Sequence, residues 1–326
     1  MVMYTYEEIG LMSPSGWLRD AYQNCYIIPA FNFVSLEQLL AIAAACAQMR
    51  SPVILQCSAG TRKFLHPAVV RRLVQGVAEM CAACGTPLHA ALHLDHGTTY
   101  EECAACISEG FSSVMIDGSA LPFEENIAIT REVVAYAHPR GVTVEAELGS
   151  LKGQEEAGSE QGVQRFTDPD QAAEFVRRTD VDMLAVSIGT CHGAVKLLRL
   201  PDGSLPKLRA DIIRGIEAKL PGFPLVLHGA SSLPRRYVDM INENGGHVEE
   251  AQGIPTEEIV RLLGSAVCKV NNASDGWIAS VAATRKALAK HPGTIDPRTY
   301  LKPVRDEMVE LYTHKVCTLF KSAGRV

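Results

Sequence analysis

The 326-residue sequence predicts a TIM (β/α)8 barrel. Three observations carry that reading. Eight short apolar runs alternate with helical segments along the chain. The runs lack the period-two alternation of half-exposed strands, so they read as parallel strands buried on both faces. No break in composition interrupts them, so residues 1–326 read as one barrel with a helical extension at the C-terminal end. A doubly wound open sheet competes with it, but no glycine-rich dinucleotide fingerprint follows the first run.

The predicted strands are Ile27–Phe33, Val53–Cys57, His89–Asp95, Ser113–Asp117, Thr143–Glu147, Met183–Ile188, Pro224–His228 and Val267–Asn271. Between them, Leu36–Met49, Pro67–Cys84, Tyr100–Glu109 and Phe123–His138 read as helices. A polar, acidic, glycine-punctuated stretch from Gly149 to Gly162 follows the fifth strand. In a barrel that places it at the catalytic face, as a candidate lid. The last stretch, Asp296 to Lys321, reads as a turn and then a helix that caps the barrel or contacts a partner subunit.

Composition narrows the function. The net charge is −6 and no basic block or arginine stripe occurs, which argues against a nucleic-acid partner. The apolar stretches are too short for a membrane span. The opening residues lack the basic start and apolar core of a signal peptide, so a cytoplasmic protein is expected. Of the ten cysteines, Cys81–Cys84 and Cys103–Cys106 have zinc-ribbon spacing. Both pairs lie in alanine-rich helical segments with a strand between them, so buried free thiols are expected instead, without disulfides.

The chemistry concentrates at strand ends. HLDHGTT (93–99), SIGTCHGAVK (187–196) and LVLHGASS (225–232) each place a histidine, then glycine, after an apolar run. Three neutral imidazoles, His96, His192 and His228, at the mouth of a barrel would hold zinc with open positions left over. The same nitrogen set suits cobalt. Asp95 adjoins His96, and a carboxylate beside the metal could act as general acid or base. In extended chain Asp95 and His96 would point apart, a constraint that relaxes where strand passes into loop. Asp117, Glu145 and Glu147 are candidates for secondary metal contacts or for orienting histidines, with ion pairing inside the barrel mouth as the alternative. Gly193, Gly229, Ala230 and Ser231 are small residues whose backbone N–H groups could cradle phosphate, with Lys196 adding a point charge. Asn271 and Ser274 add donors beside it.

These residues fall in a series of motifs: PAFNF (29–33), SPVILQCSAG (51–60), LHLDHG (92–97), VMIDGSALPFEENI (114–127), EAELGSLKG (145–153), AVSIGTCHGAVK (185–196), LHGASSLP (227–234), VCKVNNASD (267–275) and IDPRTYL (295–301). In this order they resemble the class II, metal-dependent ketose-bisphosphate aldolases over most of the chain. The resemblance implies zinc on His96, His192 and His228, and Asp95 as the acid/base at the C4 hydroxyl. It implies Asp117 and Glu147 near the metal, and Glu155 in proton transfer at C3. It also implies that Gly193, Lys196, Gly229, Ser231, Asn271 and Ser274 hold the dihydroxyacetone-phosphate (DHAP) half, with a sodium or potassium ion near the phosphate. Dimers or tetramers are the family's habit.

The chain departs from the family after the eighth strand. Where fructose-bisphosphate aldolases read Asn-Ile-Asp-(Thr/Ser)-Asp-Leu-Arg, this chain reads Asn271-Asn272-Ala273-Ser274-Asp275-Gly276-Trp277. Ala273 replaces a substrate-hydroxyl contact, and Trp277 replaces an arginine that holds the C6 phosphate. Arg298 remains as a second anion contact. Losing such a charge-assisted hydrogen bond costs about 1.5–3 kcal/mol. The expected activity is therefore zinc-dependent cleavage of a ketose 1-phosphate, by default fructose 1,6-bisphosphate, with an altered acceptor end. Tagatose 1,6-bisphosphate and 6-deoxy-6-sulfofructose 1-phosphate are the alternatives. A phosphosugar-binding barrel without catalysis, and zinc hydrolysis, are rival classes. The retained Asp95 and three histidines argue against the first, and the phosphate-binding set with no obvious nucleophile argues against the second.

Overall fold

The computed structural model describes residues 3–151, 164–199 and 202–326. Eight parallel strands close into a barrel in chain order: β1 (Ile28–Asn32), β2 (Val53–Ser58), β3 (Ala90–Gly97), β4 (Ser113–Ile116), β5 (Thr143–Leu148), β6 (Met183–Val186), β7 (Leu225–Leu227) and β8 (Val267–Asn272). β8 pairs with β1, with Ala30 opposite Asn271, so the sheet has no edge and the open-sheet alternative is excluded. The Cys81, Cys103 and Cys106 thiols are buried in helices as expected, but Cys84, at the exposed C-terminal cap that follows Ala83, is not. Burial pushes Cys103 up to about 12, which keeps it a neutral apolar filler.

Twelve α-helices among the described residues are α1 (Ser15–Asn24), α2 (Leu36–Gln48), α3 (Ala59–Leu65), α4 (Pro67–Ala83), α5 (Tyr100–Ser108), α6 (Phe123–Ala137), α7 (Pro169–Thr179), α8 (Ala210–Lys219), α9 (Arg235–Glu243), α10 (Thr256–Val260), α11 (Ser274–Lys290) and α12 (Pro297–His314). Several start where a polar side chain caps free N–H groups. Ser35 accepts from Gln38 N–H, Thr99 from Glu102 N–H, and Asp296 from Arg298 N–H. The short α3 was not expected from sequence. Its cap, Ser58, is the last residue of β2 and accepts from Thr61 N–H, so strand passes into helix with no linker to mark it.

Alternation along the strands divides the core in two. Leu92 and Leu94 of β3 face outward into the shell between barrel and helices. Ala91 faces inward and packs with Ile28, Ala30, Ile54, Met115, Met183, Ala185 and Val226. Leu18 and Ala21 of α1 pack against this inner cluster, so α1 closes the N-terminal end of the barrel. Full burial of each large apolar side chain contributes about 1.5–3 kcal/mol. One end of the barrel is therefore an apolar plug, and the polar inward positions collect at the other.

The C-terminal helix α12 packs against α2 and α11. It continues into a π-helical turn, Lys315–Leu319, after which Phe320 accepts the Ile27 N–H at 2.9 Å. Phe31 near the end of β1 packs against Tyr312, the rings tilted by 50° with centroids 4.6 Å apart.

Candidate active site and metal centre

The site begins with a break in β3. Its register with β4 shifts between Leu94 and Gly97, and His96 takes the left-handed conformation at φ +50°. That conformation costs a non-glycine residue about 1–3 kcal/mol and is held by its surroundings. Its effect is to bring two consecutive side chains, Asp95 and His96, to the same cleft. The following residue has no room for a side chain: a Cβ on Gly97 would lie 2.8 Å from the Met115 carbonyl oxygen.

Asp95 is buried and held on both oxygens. Asn32 Nδ2 donates to Oδ2 at 2.7 Å and Asn271 Nδ2 donates to Oδ1 at 3.2 Å. Burial pushes the Asp95 carboxyl up, but the neighbouring His96, His228 and Lys269, with the Asn32 bond, outweigh that and hold it below the ordinary carboxylate range. It is thus held oriented and ionised.

Each of two histidines has one nitrogen tied back. His96 Nδ1 donates to Asp117 Oδ2 at 2.8 Å, while its Nε2 lies 4.0 Å from Asp95 Oδ1. His228 Nε2 donates to Glu145 Oε1 at 2.7 Å. These bonds set the tautomers, leaving His96 Nε2 and His228 Nδ1 with lone pairs available to a metal ion. His192 arrives on the loop after β6. The ring centroids of His96 lie 5.3 Å from His192 and 4.6 Å from His228. Burial, with His96, His228 and Lys196 nearby, pushes His192 well below its ordinary value, so it is neutral and able to donate a lone pair.

A nitrogen from each of the three rings lies within 4.8 Å of the others, and so do ligand atoms of His96, Asp117 and Glu147. The donors fit a metal ion for a further reason. His228 Nδ1 and Glu147 Oε2 are buried 3.3 Å apart and neither makes a hydrogen bond. Two facing acceptors require a cation between them, either a proton or a metal. Without a metal the proton wins: burial pushes His228 down, but Glu145 and Glu147 raise it to about 9. Burial and Asp117 push Glu147 upward in turn.

Beneath the candidate metal position lies a layer of which sequence reasoning singled out only Glu145. Lys269 Nζ donates to Glu145 Oε2 at 2.7 Å, with both side chains fully buried. Glu145 also lies 3.5 Å from His93 Nε2, while His93 Nδ1 bonds Ser113 at 2.7 Å. Burial and Lys269 lower His93 to about 3, so it stays neutral. Glu145 had two expected roles, orienting a histidine or pairing with a charge, and it fills both. Asn32 and Lys269 carried one signal, a polar residue inside an apolar run.

Above the metal position opens a cleft of about 500 Å³. Gly193, Lys196, Gly229, Ala230, Ser231, Asn271, Ala273 and Ser274 line it, bringing the expected phosphate set together. Gly229 (φ +64°) is required where the loops after β6 and β7 touch, since a Cβ there would lie 2.5 Å from the Cys191 carbonyl oxygen. Trp277, Ile278 and Val281 of α11, with Ile241 and Val248, form an apolar wall. Lys196 is the one lysine or arginine among the described residues that line the cleft. Arg298 stands outside it: its side chain is 90% exposed at the start of α12 and closed on Asp296. The reason is local, because Asp296 caps the helix and captures the guanidinium beside it. Glu155 and most of the Gly149–Gly162 stretch lie outside the described residues.

Comparison with known proteins bears on the chain as a whole. The family model for fructose-bisphosphate aldolase class-II matches residues 13–325. A fructose-bisphosphate aldolase of Treponema pallidum (strain Nichols) is 47% identical, covering 99% of this chain and 100% of the relative. One from Giardia intestinalis is 45% identical over 94% of this chain and 92% of the relative. Among solved structures, the YdjI aldolase from Escherichia coli K12 superimposes with a TM-score of 0.74 at 28% identity, covering 97% of this chain and 99% of that one.

The buried ion pair makes a measurable prediction. Glu145→Gln takes away the charge that pairs Lys269 and leaves one amide oxygen where two carboxylate oxygens serve Lys269 and His228. It is expected to lower unfolding free energy by about 3–5 kcal/mol and to weaken metal retention. Urea denaturation and metal analysis after dialysis check both, and wild-type values in both would contradict the assignment.

Proposed function

The chain belongs to the class-II fructose-bisphosphate aldolase family and is an aldolase, a carbon–carbon lyase of sugar phosphates; we propose that it is zinc-dependent and reversibly cleaves a ketose 1-phosphate, by default fructose 1,6-bisphosphate, into DHAP and an aldehyde. The observation that carries this reading is Asp95, doubly held and charged, beside three converging imidazoles.

His96, His192 and His228 would hold the ion, with Glu147 and Asp117 beside them. Zinc bound there would act as a Lewis acid on the substrate's oxygens, and cobalt is the other metal this donor set accepts. The protein's own groups do the rest. Asn32 and Asn271 fix Asp95 so that one oxygen is presented to the C4 hydroxyl. Asp95 takes that proton, the C3–C4 bond breaks, the aldehyde leaves, and the dihydroxyacetone half keeps the electron pair. Glu155 is the proposed proton donor to C3. Gly193, Lys196, Gly229, Ala230, Ser231, Asn271 and Ser274 would bind the DHAP half, with Lys196 as the point charge on its phosphate and a sodium or potassium ion beside it. A cytoplasmic homodimer or homotetramer completes the proposal. No helix among the described residues is long and apolar enough to cross a membrane.

A second reading concerns the acceptor end alone. Trp277, 37% exposed, stands at the cleft among apolar neighbours, and Ala273 offers no hydrogen-bonding side chain. This favours a ketose whose far end carries less charge than a C6 phosphate, such as 6-deoxy-6-sulfofructose 1-phosphate. Tagatose 1,6-bisphosphate is the stereochemical alternative.

Asp95→Ala is expected to keep its metal and lose nearly all turnover. Retained turnover, in an enzyme shown by metal analysis to be loaded, would remove Asp95 from the mechanism. Trp277→Arg separates the two substrate readings. If the acceptor pocket is altered, the variant gains about tenfold or more in kcat/KM on fructose 1,6-bisphosphate. No gain would count against the weakened-pocket reading.

A further inference from the structure

The loop after β7 lines the cleft through Gly229, Ala230, Ser231 and Leu233. It is fastened from behind. Asp275, in the first turn of α11 and fully buried, accepts the Ser232 N–H at 2.9 Å and the next N–H, that of Leu233. Leu233 sits at φ +42°, a conformation that this bonding holds in place. Those two amides are therefore turned away from the cleft. Ser274, the neighbour of Asp275, lines the cleft from the other side. One carboxylate thus fixes the spacing between the β7 loop and the start of α11.

That carboxylate has one charged partner among its described contacts, and it comes from the far end of the chain. Lys315 opens the π-helical turn after α12 and is 1% exposed. Its Nζ lies 2.6 Å from Asp275 Oδ2 and donates to Ser232 Oγ at 3.0 Å. A π-turn inside a helix is rare and often marks a functional position. Without the ammonium, Asp275 would be an uncompensated buried charge, relieved only by movement of the loop it holds.

We propose that Lys315 is a positioning residue for the phosphate-binding edge of the cleft, acting through Asp275 and Ser232 without touching substrate. The inference rests on the reading that the 1-phosphate sits between the β7 loop and α11. It makes the C-terminal turn part of the site's framework.

The test measures DHAP binding by calorimetry on the zinc-loaded enzyme, with kcat, metal content and thermal stability in parallel. Lys315→Met is expected to weaken DHAP binding by about tenfold, because small displacements of binding groups are costly. Its kcat and metal content should stay near wild type, and Lys315→Arg should recover most of the affinity. An unchanged DHAP affinity overturns the proposal. So does a parallel fall in affinity, kcat and metal content, which a merely structural role would give. Should Lys315→Met not fold, Ser232→Ala removes the loop's side-chain bonds to the ammonium and to Asp275 Oδ2 and leaves the ion pair. Weaker DHAP binding then supports the clamp, and wild-type affinity overturns it. A wild type that binds DHAP but cleaves no ketose 1-phosphate would sink the proposed function and leave this test standing.

Discussion

The Glu145–Lys269 pair is the interaction from which the site is built. Glu145 belongs to β5 and Lys269 to β8, strands that are not neighbours, and the two side chains meet across the barrel axis at 2.7 Å. A fully buried charge is tolerated when it is paired and further hydrogen-bonded. Here the second oxygen of Glu145 does the further bonding, to His228 Nε2. That bond turns His228 Nδ1 toward Glu147 and the metal position. Lys269 also acts on Asp95, helping hold it ionised in a buried place, and on His93, helping hold it neutral. One ion pair therefore bears on the protonation of Asp95, His93 and His228.

The second constraint is local. A regular β3 would send Asp95 and His96 to opposite faces. The left-handed turn at His96 removes that conflict, and the packing of Gly97 against β4 leaves the chain little other choice. Asp95 and His96, the proposed base and the first proposed ligand, end up in one cleft because the strand's regular alternation breaks at His96.

Much of this was legible in the sequence, for identifiable reasons. The eight strands stood out because each is buried on both faces and so reads as an unbroken apolar run. The three histidines stood out because each closes or follows such a run and stands directly before a glycine. Asn32, Lys269 and the double role of Glu145 were harder to see. A polar residue inside a strand gives no hint of its partner until the barrel closes and sets β5 against β8. Trp277 was visible as a departure from the family pattern. Its place in an apolar wall with Ile278 and Val281 needed the fold, because α9 and α11 must pack before that wall exists. Arg298 shows the reverse: its motif is legible, yet in this chain the side chain closes on Asp296 instead of the cleft.

The central claim is that the three histidines hold a metal on which carbon–carbon cleavage depends. DHAP release from fructose 1,6-bisphosphate, with tagatose bisphosphate and sulfofructose phosphate alongside, tests it most directly when run with a chelator, without one, and after zinc is added back. The account predicts release from at least one of these ketose 1-phosphates, abolished by the chelator and restored by zinc. Release that ignores the chelator, or no release from any of them by zinc-loaded enzyme, would contradict it.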